Sequence, residues 1–222
     1  MYTGFGEPGH RVGNIGARLD ERIIEKALHG TTTVGIIAGD RVILAADKRA
    51  TAGMLIASRT VKKIVKLTDY SAMTMSGLVA DAQALAEIVR GETRLYELIN
   101  GVKLSVKGIA TLLSNILFSS KWFPYIVQLI VGGYDTKPRL YTLDPYGSVT
   151  EERYTATGSG SPVAYGVLEE SYRDDLDVDE AVDIAARAIR SAILRDVATG
   201  DGVDVAIIGR DIYTEKFIPF KG

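Results

Sequence analysis

The sharpest hydrophobic pattern in the chain lies at residues 30–47, where two runs rich in β-branched residues flank a Gly39-Asp40 pair. The first run is Thr31-Thr32-Thr33-Val34-Gly35-Ile36-Ile37-Ala38, and the second is Arg41-Val42-Ile43-Leu44-Ala45-Ala46-Asp47. Glycine at the first central position suits a type II′ turn, which requires positive φ there, so the pattern predicts a β-hairpin. With Ala38 and Arg41 beside the turn, Val34 faces Ala45 and Thr32 faces Asp47. The Gly30-Thr31 peptide then lies level with the Asp47 carboxylate and the Lys48 ammonium.

Further along, residues 61–67 alternate as a strand, with Val61, Lys63, Val65 and Leu67 on one face and Lys62, Ile64 and Lys66 on the other. Lys62 and Lys66 sit where solvated lysines belong. Lys63 projects among apolar side chains, so it either finds a partner or snorkels to the surface, because an unpaired buried ammonium is costly. A strand at 72–76 ends at Gly77. From Asp81, the spacing of Ala84, Leu85, Ile88 and Val89 predicts a helix running towards Asn100. A second helix follows at 105–120, burying Ile109, Leu112, Leu113, Ile116 and Leu117.

Strands are expected at 126–131, 139–143 and 154–157, separated by turn signals such as Gly132-Gly133 and Asp144-Pro145. Ser161-Pro162 starts a helix, the serine capping and the proline in the first position. Asp177 and Glu180 form a capping box opening another, whose stripe is Val178, Ala181, Val182, Ala185, Ile189, Ala192 and Ile193. The nearly apolar closing strand at 203–208 should be buried on both faces. Two helix pairs interrupting mostly antiparallel strands define an α+β chain, two stacked sheets with helices outside, although periodicity alone permits several arrangements.

At 222 residues the chain can bury the core of one domain. A net charge of −2 gives no reason to expect nucleic acid or an acidic membrane as partner. No apolar run is long enough for a signal peptide or a membrane span, which predicts a cytoplasmic protein. The absence of cysteine excludes a disulfide framework, a thiolate zinc site and a cysteine nucleophile. Both histidines, His10 and His29, lie in the first thirty residues, so a Ser-His-Asp triad inside the body is excluded too. In that head, Gly4, Gly6, Gly9, Gly13 and Gly16 break any regular element before a charged stretch at 18–26. It reads as a tail or as a removable segment.

These exclusions leave a threonine hydroxyl without a histidine base. A free α-amino group, with a pKa of roughly 7.7 to 8.0, could serve instead, so a chain beginning at Thr31 would carry nucleophile and base in one residue. Asp196, near the carboxyl end of its helix, needs a compensating partner because the dipole there disfavours an anion. Blander readings exist for each feature. The threonines could simply start a strand, Asp47 could be a solvated carboxylate paired with Lys48 and Arg49, and residues 158–161 could be a flexible lead-in.

Gly-Thr-Thr-Thr-Val-Gly at 30–35 and Ala-Ala-Asp-Lys-Arg-Ala-Thr-Ala-Gly at 45–53 together resemble the start of a mature β-subunit of the archaeal-type 20S proteasome, a family of N-terminal nucleophile hydrolases. The resemblance extends from Thr31 nearly to the C-terminus. It selects the four-layer αββα sandwich and implies a propeptide at 1–30 before a β-type peptidase domain at 31–222. It also implies that Thr31 is the nucleophile, flanked by Asp47 and by Lys63, whose charge lowers the pKa of the hydroxyl or the amine.

By the same resemblance Gly77 supplies the oxyanion N–H, and Ser159 hydrogen-bonds the N-terminal amine. Asp196 and Thr199 match the family's Arg-Asp-x-x-Ser-Gly, with threonine replacing serine. The stretch Met75-Ser76-Gly77-Leu78-Val79-Ala80-Asp81 departs from the commoner Thr-Ala-Gly-Ser-Val-Gly-Asp at Leu78 and Ala80. Substrate would lie as an added strand against Thr51, Gly77 and Val79. Ala50, Val61, Val65, Met75 and Val79 would line the pocket for the residue before the cut.

The function so implied is that of a catalytic β-subunit of the 20S core particle, a threonine endopeptidase degrading unfolded polypeptides after self-cleavage at Gly30-Thr31, with no metal or organic cofactor. The implied partners are α-subunits, other β-subunits in the seven-membered rings of a 28-subunit barrel, and an AAA+ unfoldase. Nucleic acid and membrane are not among them. Two alternatives stand beside it: a non-catalytic structural β-subunit, against which the intact Thr31, Asp47 and Lys63 argue, and a small-substrate amidase of the same superfamily.

Overall fold

The computed structural model describes residues 30–220. The expectations for the head, including His10, His29 and the charged stretch, lie outside the described residues.

The predicted hairpin is present as β1 (Thr33–Ala38) and β2 (Arg41–Asp47). Its register pairs Ala38 with Arg41 and Val34 with Ala45, and Gly39 takes φ of 53° in the turn. A short ribbon, β3 (Ala50–Ala52) and β4 (Leu55–Ser58), precedes β5 (Ile64–Thr68) and β6 (Ser71–Gly77). Helices α1 (Val79–Asn100) and α2 (Val106–Ser119) follow, then β7 (Val127–Tyr134), β8 (Pro138–Leu143), β9 (Val149–Glu151) and β10 (Tyr154–Thr157). The chain continues through α3 (Ser161–Ser171) and α4 (Val178–Ile193) to β11 (Val203–Gly209) and β12 (Ile212–Ile218). One five-stranded sheet has the order β10-β1-β2-β11-β12 and the other β5-β6-β7-β8-β9.

Strand alternation divides the core into three layers of contact. Val34 and Ile36 on β1, with Ile43 and Ala45 on β2, pack outward against Ala181, Ala185 and Ile189 of α4. Val42, Leu44 and Ala46 point the other way and meet Ile64, Ala72, Ile130 and Leu140 of the second sheet. The far face of that sheet, including Met73, Leu129 and Val131, is covered by Leu85 and Val89 of α1 and by Ile109, Leu113 and Leu117 of α2. The result is the expected αββα sandwich. Each large side chain buried in these layers stabilises the fold by about 1.5–3 kcal/mol.

The capping box of α4 is formed, Glu180 N–H donating to Asp177 Oδ1 at 2.8 Å while Asp177 N–H donates to Glu180 at 3.2 Å. Four expectations need correction. Gly132-Gly133 is not a turn but a buried part of β7 near its C-terminal end, where a Cβ on Gly132 would come within 2.7 Å of Val42 and one on Gly133 within 2.7 Å of the Tyr70 carbonyl. Gly160, not Ser161, caps α3, and no side chain caps it. Strand β5 starts only at Ile64, and that residue faces the inter-sheet core rather than solvent. Finally β11 is followed by β12, an edge strand whose mostly exposed side chains left no one-sided pattern to read.

Candidate active site

Residue 47 ends β2 on the face shared by Ile43 and Ala45, so its carboxylate turns into the body of the protein and is fully buried. Four donors meet it. Lys63 Nζ (2.7 Å) and Thr32 N–H (3.0 Å) bind Oδ1, and Arg49 N–H (3.0 Å) and Gly200 N–H (2.9 Å) bind Oδ2. Lys63 itself is 2% exposed and donates also to the Gly30 carbonyl at 3.3 Å. It is therefore paired, not snorkelling.

The cation at the Gly30-Thr31 peptide is thus Lys63 and not Lys48, which reaches Asp204 at 2.6 Å, while the Arg49 side chain goes to Asp201. Burial pushes the Asp47 carboxyl above its ordinary value, against the pull of Lys63 and the backbone donors. It pushes the Lys63 ammonium below its ordinary value, with Asp47 the chief opposing influence. Each group is the other's main compensation for leaving water.

Thr31 Oγ1 donates to the Gly30 carbonyl oxygen at 2.5 Å. On the other side, the N–H groups of Gly30 and Thr31 point at Ser159 Oγ at 3.3 and 3.4 Å. Ser159 gives its own proton to Asp196 Oδ2 at 2.6 Å, and Thr199 Oγ1 donates to the same oxygen at 2.5 Å. Thr199 has one proton, so the 2.7 Å contact with Thr32 must have Thr32 as donor. Asp196, just beyond the end of α4, is thereby compensated by two hydroxyls and by the Ala198 N–H. These are the partners its position demanded.

Two glycines let backbones approach here. Gly158 has φ of 93°, and a Cβ on it would lie 2.1 Å from the Thr31 carbonyl; Gly77 has φ of 105°, and its Cβ would lie 2.2 Å from the Ile126 carbonyl. Only glycine takes both the conformation and the contact.

An open cavity of about 790 Å³ joins these groups, bordered by Thr31, Lys63, Gly77, Ser159 and Asp196. Of the residues expected to hold substrate, Ala50, Thr51 and Val79 line it. Val61, Val65 and Met75 do not: Met75 is buried against the α1–α2 layer with Val65 packed on the same cluster, and Val61 is half-buried beside Lys48, to whose carbonyl its N–H donates. Arg49, Met54, Leu78, Val197 and Ala198 line it instead, with Gly30 and Gly53. Sequence reasoning passed over the Thr32 hydroxyl and the Gly200 N–H, although both adjoin residues it had singled out.

Stacked antiparallel sheets between two helix pairs, with a threonine leading into an interior strand, form the four-layer sandwich of the N-terminal nucleophile hydrolase fold. The family model described as "Proteasome subunit" matches residues 27–208. "Proteasome subunit beta 2" of Aeropyrum pernix is 69% identical over 209 residues, covering 94% of each chain. The protein of the same name from Hyperthermus butylicus is 58% identical over 196 residues, 88% of this chain and 92% of its own. "Proteasome subunit beta" of Ferroglobus placidus is 53% identical over 195 residues, 87% of this chain and 93% of its own. The chain belongs to the proteasome subunit family, as a β-type subunit of the archaeal 20S kind. Among the described residues, no helix is long and apolar enough to cross a membrane.

Proposed function

We propose that this subunit is the peptide-cleaving one of a cytoplasmic 20S particle: a threonine endopeptidase whose domain at 31–222 is freed when it cuts its own Gly30-Thr31 bond. The reading rests above all on the Thr31 hydroxyl lying 2.5 Å from the Gly30 carbonyl oxygen, which also receives the Lys63 ammonium at 3.3 Å. In the precursor, Thr31 Oγ attacks the Gly30 carbonyl carbon. The C–N bond breaks as the nitrogen takes a proton, leaving an ester between Gly30 and the Thr31 oxygen. Water hydrolyses that ester to a Gly30 carboxylate and restores the hydroxyl beside a free amine.

In the mature subunit the Thr31 amine accepts the hydroxyl proton as Oγ attacks a substrate carbonyl, then passes it to the departing amine of the cleaved peptide. Ser159 holds the Thr31 amine in place. The Gly77 N–H receives the developing oxyanion, a role worth about 2.7–4 kcal/mol where one such donor is removed. Water then releases the acyl group. Family membership supports assembly with α-type and other β-type subunits into a closed barrel, fed with unfolded polypeptide by an AAA+ unfoldase.

Mass spectrometry of the assembled particle should find the chain beginning at Thr31, and Thr31→Ala should keep residues 1–30 and lose all peptidase activity. Quantitative removal at the same bond in that variant, with no active neighbour present, would sink self-processing. A wild-type chain that keeps residues 1–30 in a complete particle would point to the structural subunit. Amide hydrolysis by a lone monomer would point to the small-substrate enzyme.

A further inference from the structure

We propose that Asp201, held between Arg49 and Arg59, is a positioning residue for the Thr31 site, acting through the Gly200 N–H on Asp47; the proposal rests on the peptidase reading above. Asp201 Oδ2 accepts from Arg49 Nε at 2.9 Å and Oδ1 from Arg59 Nη1 at 2.5 Å, and the side chain is only 12% exposed. The Arg49 guanidinium also donates to the Val197 carbonyl at 2.9 Å. It lies so close over Gly200 that a Cβ there would meet it at 2.2 Å. One side chain therefore ties down the loop at 197–201 at both of its ends.

That loop carries two groups the site uses, Thr199 Oγ1 on Asp196 and Gly200 N–H on Asp47. The Gly200 carbonyl is held as well, by Lys48 N–H at 3.0 Å. Asp47 Oδ1 is shared by Lys63 and the Thr32 N–H, while the Arg49 and Gly200 N–H groups hold Oδ2 and so limit rotation of the carboxylate. Arg49 thus contributes its backbone to the carboxylate and its side chain to the loop that supplies the second donor. Asp201 closes this circuit.

The backbone of Asp201 has φ of 69°, a left-handed conformation that aspartate takes more readily than most non-glycine residues, and there its carboxylate meets both guanidiniums. Burial works to raise the Asp201 carboxyl, but the hydrogen bonds from Arg49 and Arg59 hold it below its ordinary value. The clamp consequently stays charged through the neutral range and acts as a fixture, not a pH switch.

Asp201→Gly tests this in the assembled particle, because it relieves the backbone while deleting both ion pairs. Amide hydrogen exchange across 197–201 should accelerate at least about tenfold. On a fluorogenic peptide, kcat should fall about tenfold with KM within about twofold, and the alkaline limb of the kcat–pH profile should move to lower pH, since loosening one of the donors on Asp47 weakens its hold on the Lys63 charge. Asp201→Asn, which keeps one acceptor, should lie between wild type and Asp201→Gly in both readouts and serves if the glycine variant does not assemble. Faster exchange with unchanged kcat and pH profile would reduce Asp201 to a structural residue and overturn the proposal, as would unchanged exchange. A wild-type particle inactive on every peptide would instead count against the peptidase reading, while exchange would still decide whether Asp201 holds the Gly200 N–H.

Discussion

Lys63 and Lys62 are neighbours in sequence with opposite fates. Lys63 is enclosed beside Asp47, whereas the Lys62 side chain is 58% exposed and pairs with Glu215 on β12. Lys63→Ala leaves the Asp47 carboxylate buried against backbone donors alone, and stranding one partner of such a pair costs about 3–5 kcal/mol. Processing and peptidase activity should both vanish, with a lower urea midpoint. Lys62→Ala should change stability by less than about 1 kcal/mol and leave processing intact. Equal losses from both, read by mass spectrometry and urea unfolding, would refute the assignment. The pH dependence follows from the same pair: the protonated form dominates below the folded pKa, and burial lowers that pKa from its ordinary value near 10.4. The alkaline fall in activity should therefore begin below the pH at which a free lysine would titrate. A profile limited only at higher pH would show that the Lys63 charge is not required. The hairpin register pointed to Asp47, yet the nearest cation in sequence, Lys48, turned away to Asp204. The partner that arrived, Lys63, belongs to a different sheet edge, which no local count reaches.

At the scale of elements, glycines separate local from tertiary demands. Gly91 is exposed within α1 with nothing near its missing Cβ, so Gly91→Ala should stabilise by about 0.8–1 kcal/mol through helix propensity. Gly132 lies where β7 meets β2, and alanine there would press on Val42 and Leu44, costing about 1–3 kcal/mol as overpacking. Urea midpoints of the two variants should move in opposite directions, and a neutral Gly132→Ala would mean that the sheets separate without cost. This contrast also explains what the pattern of residues revealed. The helices were legible because one face of each is buried and the other is not, and the β1–β2 hairpin because a turn glycine separates two runs of β-branched and apolar residues. Gly132-Gly133 misled because glycine required by the approach of two sheets looks identical to glycine required by a turn. Strands β3, β4, β9 and β12 carry mostly half-buried or exposed side chains, so no periodic apolar face announced them.

At the scale of the whole molecule the question is which peptides the cavity favours. Thr31, Asp47, Lys63, Ser159, Asp196 and Thr199, each picked out from a short stretch of sequence, lie together in the structure. The wall of the cavity was less legible, since it is assembled from six separate segments, and Val61, Val65 and Met75 are not among its lining residues. The wall remains largely apolar at Ala50, Val79, Leu78, Met54, Val197 and Ala198. Its one guanidinium, Arg49, is committed to Asp201 and the Val197 carbonyl, so it offers no free charge to an acidic substrate side chain. Burying a large aromatic or aliphatic side chain against such a wall contributes roughly 1.5–3 kcal/mol, whereas a charged one loses hydration without a partner. Cleavage after leucine, phenylalanine or tyrosine should therefore exceed cleavage after glutamate or arginine by at least about tenfold, which needs only about 1.4 kcal/mol in transition-state binding. A panel of fluorogenic peptides differing at that single position, compared by kcat/KM on the assembled particle, measures the ratio directly. Arg49→Ala adds a second comparison: if the guanidinium is fully occupied, cleavage after glutamate should fall no more than cleavage after leucine. A wild-type preference for glutamate that Arg49→Ala abolishes would mean that the arginine leaves Asp201 to meet substrate, and a preference untouched by that change would place the recognising charge on a neighbouring subunit.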